Sequence, residues 1–255
     1  MRLSFALVVL VFTLSGAPPN QQLAAAPHHS HRRKLFRHHS TIAWSCSSSG
    51  VQAFIYQGGL AVDADGAYRA YHPNDSLGLD SIAHAGRPGN WWALATHTGN
   101  PSGRPVVQGE DDPAPGYYVS MTSLYDASVA SERDPHRFVD ASSIPYVVLS
   151  PKGFKHAKLG DFATVVNLRN GKVAAGIVAD ESAPEQPLGE GSIALAVALG
   201  VKSNPRTGGI EQGVGYVIYP GSGNGKPRTL DEIVSTSRAY FRRWGGLQKL
   251  RGCLR

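Results

Sequence analysis

Hydrophobic residues in this chain of 255 residues come in short bursts. Runs rich in β-branched and aromatic residues occupy 51–56, 91–96, 105–108, 117–123, 145–149, 161–167, 173–179 and 215–219, with Gly, Pro, Asn or Asp close by. Bursts of that length between turn residues predict strands. Asp65-Gly66 and Asn170-Gly171 are hairpin-type turns, because both dipeptides tolerate positive φ. The second joins 161–167 to 173–179 and gives the clearest hairpin. Two stretches carry helical spacing instead. Ser192 caps 193–199, which stops at Gly200, and Thr229-Leu230-Asp231-Glu232 is a capping box. Leu230, Ile233, Val234, Tyr240, Phe241 and Trp244 then fall on one face, ahead of Gly245-Gly246. The pattern predicts a mainly β body, barrel-like or sandwich, with two short helices in a single domain.

One apolar run breaks this rhythm. Residues 3–14 follow Met1-Arg2, and small residues at Ser15-Gly16-Ala17 and Leu23-Ala24-Ala25-Ala26 come after them. This is the form of a secretory signal peptide over 1–26, and it predicts a secreted, extracellular protein. A buried N-terminal helix is the plainer alternative. No later run reaches the roughly 18–20 apolar residues of a membrane span, so no membrane partner is expected. Residues 27–43 hold five of the ten histidines, with Arg32-Arg33-Lys34 among them. Imidazoles make a metal-binding tract conceivable. Without apolar periodicity or a Cys or carboxylate partner, a linker or propeptide with a processing site at Arg32-Arg33 is the preferred reading. The body then runs from 44 to 255. Cys46 and Cys253 are the only cysteines, and an exported chain would pair them, tying the tail to the first strand. Two free thiols are the alternative. Asn74-Asp75-Ser76 is an N-glycosylation sequon, whereas Asn100-Pro101-Ser102 is excluded by its proline.

The net charge of +6 changes meaning once it is divided along the chain. Residues 1–40 and 238–255 contain no acid, which leaves 14 basic against 19 acidic residues in 41–237, a net of −5. A nucleic-acid binder would carry its basic excess on the folded body. An acidic body favours a cationic or neutral partner and no nucleic acid. There is no G-x-S-x-G elbow, H-E-x-x-H helix, phosphate loop or C-x-x-C pair. Asp63-Ala64-Asp65-Gly66 resembles the start of a calcium loop, but the later ligands are missing and a turn is the simpler reading. What remains is carboxylates among aromatics. Asp180 ends one predicted strand, and Glu190 lies ten residues on, between Gly189 and Gly191, with Pro184 and Pro187 stiffening the loop. Such a loop can bring two carboxyls to opposite walls of one cleft, with Asp161 nearby on the partner strand. Trp91, Trp92, Tyr117 and Tyr118 offer flat faces for sugar rings. Composition alone favours a plainer reading, of exposed loop acids and core aromatics.

A resemblance shifts that balance. The run from Phe54-Ile55-Tyr56-Gln57-Gly58-Gly59 through Asp63-Ala64-Asp65-Gly66 to Tyr68-Arg69-Ala70-Tyr71 resembles the fungal chitosanases of glycoside hydrolase family 75. So do Gly86-Arg87-Pro88-Gly89-Asn90-Trp91-Trp92, Asp112-Pro113-Ala114-Pro115-Gly116-Tyr117-Tyr118, Gly160-Asp161-Phe162-Ala163, Ile177-Val178-Ala179-Asp180 and Gly189-Glu190-Gly191-Ser192. The likeness extends in order from about 51 to 245 and leaves the His-rich stretch outside it. It implies endo-hydrolysis of the β-1,4 bonds of chitosan with inversion, Glu190 as general acid and Asp180 as general base, with no cofactor or metal. An inverting pair stands roughly 6.5–9.5 Å apart, leaving room for water. The glucosamine ammonium also needs carboxylates, for which Asp161, Asp63, Asp65 and Asp112 are candidates. A monomer is expected. One feature opposes the role of Glu190. It lies just before a helix N-terminus, whose dipole favours the ionised form by about 0.3–1 kcal/mol. Repulsion from neighbouring acids and desolvation by aromatics would have to exceed that. A non-catalytic secreted carbohydrate-binding protein and a β-barrel glucanase acting on neutral polysaccharide are the rival readings.

Overall fold

A computed structural model describes residues 32–255. The signal peptide expected over 1–26 lies outside the described residues, as does the start of the expected linker. Ten strands are present among the described residues: β1 (Arg33–His38), β2 (Thr41–Ser45), β3 (Phe54–Asp63), β4 (Gly86–Arg87), β5 (Asn90–Trp91), β6 (Tyr146–Leu149), β7 (Phe162–Asn167), β8 (Val173–Glu181), β9 (Glu190–Ser192) and β10 (Ile210–Ile218). The helices are α1 (Ile193–Leu199), α2 (Leu230–Trp244) and α3 (Gly246–Leu254).

Six strands close into a barrel in the order β3-β10-β7-β8-β6-β9, with β9 returning to β3. Most neighbours are antiparallel, but β6 with β8 and β3 with β9 run parallel. Period-2 alternation divides each strand between two cores. One set, including Phe54, Tyr56, Val147, Val165, Val178 and Tyr216, packs with Leu195, Ala196 and Leu199 of α1. The other, including Ile55, Tyr146, Val148, Ile177 and Val217, packs with Ile233 and Trp244 of α2 and Leu250 of α3. Since α2 and α3 lie outside the ring, the second set faces outward and the first fills the barrel. At its centre Tyr56 and Tyr216 stack with ring centroids 4.5 Å apart. In a six-stranded barrel such side chains leave no lumen, so ligands must bind outside or at an end.

The local signals hold where chemistry is short-range. Ser192 accepts from Leu195 N–H, Gly200 ends α1 at φ 64°, and both halves of the Thr229–Glu232 capping box form. The β7–β8 hairpin turns on Gly171 at φ 77°. Four expectations change. A third helix, α3, follows Gly245 at once, because Leu250 and Cys253 recur at helical spacing and are buried. The linker expected over 27–43 is, from Arg33 onward, the β1–β2 hairpin, and β2 pairs with β3. Arg32, expected beside a processing site, donates to the carbonyls of Cys253 and Arg255 and covers the Trp44 ring at 4.3 Å. The strands expected at 91–96, 105–108 and 117–123 shrink to the β4–β5 ladder and isolated bridges such as Leu94 with Ser120. Trp91, Ala93 and Leu94 join the outer core, while Ala95, Val106 and Val119 form a small separate cluster with Phe138. Asp65-Gly66 does turn at positive φ, but it leads out of β3 into this irregular segment and not into a hairpin. The Cys46–Cys253 disulfide is formed and fully buried, and Trp244 Nε1 donates to the Cys46 carbonyl at 2.6 Å.

Candidate active site

A cleft of about 1340 Å³ runs over the outer face of the barrel, beneath the irregular segment that follows β3. Asp63, Asp65, Asp180 and Glu190 line it, with Trp91 and Trp92 on its rim. The sheet itself brings the last two acids together. Val148 of β6 pairs with Asp180 of β8 on one side and with Glu190 of β9 on the other. One strand therefore separates the two acids, and two strand spacings put their Cα atoms about 9–10 Å apart. A register shift between Val147 and Val148 leaves Ala179 as an extra residue on β8. Bulges of this kind re-aim the following side chain.

The two carboxyls have opposite surroundings. Asp180 Oδ1 accepts from Ser123 Oγ at 2.6 Å, Ser123 N–H at 3.1 Å and Glu181 N–H at 2.8 Å. Its Oδ2 accepts no hydrogen bond among the described residues. Glu190 is partly buried and receives no donor at all among them. Burial is the main cause that lifts both, and repulsion from Asp63 adds to it. Asp180 is pushed up to about 7 and Glu190, which also faces Asp180 and Asp80, to about 8. The three donors on Asp180 favour its charged form, and no donor among the described residues does the same for Glu190. Desolvation thus outweighs the helix dipole that opposed an acid role for Glu190.

Asp63 and Asp65 form a second layer. The Tyr146 hydroxyl lies 3.0 Å from Asp63 Oδ2 and 2.9 Å from the Asp65 carbonyl, while Asp65 N–H donates to Asp63 Oδ1 at 2.9 Å. Tyr71 donates to Asp65 Oδ1 at 2.7 Å. Burial pushes Asp63 up to about 6, and burial with the charges of Asp63 and Asp180 pushes Asp65 well above the carboxylate range. Asp63, Asp65 and Asp180 each offer an oxygen within 4.8 Å of the others, a cluster of a size to hold a cation. The tyrosine donors already serve Asp63 and Asp65.

The remaining expected contacts divide. Trp92 is 57% exposed on the rim, its indole fixed by a hydrogen bond to the His84 carbonyl, so a flat face is open to a sugar. Trp91 is mostly buried beside it. Asp161 is fully buried away from the cleft, where it accepts from Lys158, Gly221 and Gly223 N–H and pins the 221–225 loop. Asp112 closes a turn on Gly109 N–H, and Tyr117 donates to the Leu77 carbonyl. Asp112, Tyr117 and Tyr118 are outside the cleft lining. Asn74 is exposed at the start of a short helical turn. Sequence reasoning missed Tyr71, Asp80, Ser123 and Tyr146. Asp80 is buried and paired with His84 Nδ1 at 2.9 Å, a spacing of four residues that gave a faint local signal.

The profile of the fungal chitosanases of glycosyl hydrolase group 75 matches residues 115–243, half of the chain. The chain belongs to that family. Among curated proteins none matches. Membership makes it a glycoside hydrolase of the chitosanase class, with a polysaccharide as its substrate class. The match contains Ser123, Tyr146, Asp180 and Glu190, whereas Asp63, Asp65 and Asp80 precede it. Family membership together with the buried disulfide points to an extracellular protein, and no helix among the described residues is long and apolar enough to cross a membrane.

The acidic cluster carries a stability cost with a definite sign. Asp63, Asp65, Asp180 and Glu190 keep protons in the folded state that an unfolded chain releases near pH 4. Unfolding therefore releases protons as pH rises from about 4 to about 8, and stability falls over that window. Below it, Asp75, Asp126, Asp134 and Glu232, whose pKa values are lowered by hydrogen bonds, act in the opposite sense. Thermal melts should show the highest Tm near pH 4–5 and a steady decline to pH 8. A Tm that climbs between pH 5 and 8 would contradict the protonated cluster.

Proposed function

We propose that the protein is a secreted endo-chitosanase that cleaves β-1,4 bonds by inversion, with Glu190 as general acid and Asp180 as general base. The observation that carries this reading is the placement of two carboxyls, one held by three donors and one by none among the described residues, on strands that flank one intervening strand. Glu190, with no internal donor to hold it ionised, keeps its proton for the leaving glycosidic oxygen. Asp180, with Oδ1 held by three donors, has Oδ2 free to take a proton from water attacking the opposite face of the ring. Glucosamine lacks the acetamido carbonyl that could attack its own anomeric carbon, so the base must come from the protein. Proton transfer then returns the pair to its starting state by exchange with solvent. The exposed Trp92 face and the acidic cleft suit a cationic sugar chain.

The test is a panel of chitosan, chitin and cellulose, read by viscosity and by the anomer first released. A rapid viscosity drop on chitosan alone, with the inverted anomer formed first, is expected. Binding without cleavage would favour a carbohydrate-binding module, and preference for cellulose a neutral glucanase. Raising salt through the physiological range should weaken binding to chitosan more than to a neutral glucan, because the attraction between ammonium and carboxylate is screened. An equal response would make the acidic cleft incidental.

A further inference from the structure

A second groove of about 780 Å³ continues from the catalytic cleft, and Ala61 and Gly208 line both. Ala61 is the β3 residue paired with Glu190, so the groove begins beside the proposed acid. Its floor is bare backbone. A Cβ at Gly59 would lie 2.5 Å from the Ile210 carbonyl oxygen, one at Gly189 2.7 Å from that of Gly59, and one at Gly209 2.5 Å from that of Leu60. No side chain fits at these positions, and the three glycines pack main chain on main chain.

At the far side of this floor the barrel wall is irregular. Ile210 pairs with Leu60 and Val214 with Gly58, so Glu211, Gln212 and Gly213 together oppose the single residue Gly59. Such a bulge forfeits ladder hydrogen bonds and throws its side chains outward. Glu211 and Gln212 are exposed, as is Gln57 on the neighbouring strand, and none of the three side chains makes a hydrogen bond among the described residues. All three line the groove. The β1–β2 hairpin supplies its other wall through Thr41 and Trp44. Arg32 covers the Trp44 ring, so polar groups and not an aromatic platform dominate this region.

We propose that this groove is an extension of the substrate path on the Glu190 side, taking further β-1,4-linked glucosamine units, with Glu211 facing an ammonium and Gln57 and Gln212 the ring hydroxyls. The proposal rests on the chitosanase reading above. An amide can donate and accept at once, which matches a hydroxyl, and a lone free carboxylate matches a C2 ammonium. A glycine floor lets a ring lie close to the main chain. The hairpin wall lies outside residues 115–243, which the family profile matches.

The experiment compares kcat/KM on fully deacetylated glucosamine oligomers from three to six units for the wild type, Glu211→Lys and Gln57→Ala, with Tm as the check on folding. The wild type should gain with length. Glu211→Lys, which replaces attraction by repulsion, should cut the advantage of the hexamer over the shortest oligomer cleaved by about tenfold. Gln57→Ala should reduce it by a smaller factor and move the preferred bond within the hexamer. An unchanged length dependence in both folded variants would overturn the groove and leave the chitosanase reading intact. A wild type that binds the hexamer without cutting it would overturn the chitosanase reading instead. Calorimetric titration with the hexamer then decides the groove by the same Glu211→Lys loss of affinity.

Discussion

Glu190→Gln and Asp180→Asn are each expected to lower the rate on chitosan by about 10²–10⁴-fold, the range that a positioned acid or base supplies. Both replacements keep size and polarity and remove only the ability to give or take a proton. In Asp180→Asn the Ser123 and Glu181 N–H groups can still donate to the side-chain amide oxygen, so the β8 bulge should persist. The variants should also melt above the wild type at pH 8. At that pH the wild type must hold several acids together in a dry cleft, and each substitution removes one of them. Loss of activity with gain of stability separates a catalytic role from a structural one, since damage to packing would lower both. Wild-type rates in either variant would end the assignment.

Breaking the Cys46–Cys253 bridge should have the largest effect on stability. The bond joins residues 207 apart, and the chain-entropy relation gives about 5 kcal/mol for a loop of that length. For a body of this size that corresponds to a Tm loss of about 10–20 °C, readable by melting Cys253→Ser or the reduced wild type. The bridge also secures α3, whose buried residues are few: Leu250 and Cys253. Arg32 grips the same helix end through its carbonyls, and the bond thereby couples the N-terminal hairpin to the C-terminus. A melt unaffected by reduction would show that α3 docks on its own.

How much was legible follows the range of each interaction. Ser192, Gly200 and the Thr229 box act within a turn, and the chain announces them. Barrel closure joins β3 to β9 and β6 to β8 in parallel, pairings that have no turn signature and bring together residues far apart in the chain. With only three residues, β9 is too short to show a period, so Glu190 read as a loop acid before a helix. The aromatic-rich stretch before β6 has strand composition without a ladder, because isolated bridges and side-chain packing onto the outer core and a small satellite cluster take the place of regular pairing. In the site, Asp180 and Glu190 were legible as a possible pair across one loop, and the resemblance gave them their roles. Tyr146, Tyr71 and Ser123 were invisible as donors, since each meets its carboxyl through the fold and has no marker of its own. Asp161 misled because a strand start near a catalytic strand looks like a cleft position, whereas its backbone partners make it a loop anchor.

The intervening strand has an evolutionary corollary. Because Val148 sets the gap between the two acids, residues 182–189 need not act as a ruler. Insertions or deletions there can redraw the rim of the cleft while the spacing of the two acids stays set by the barrel.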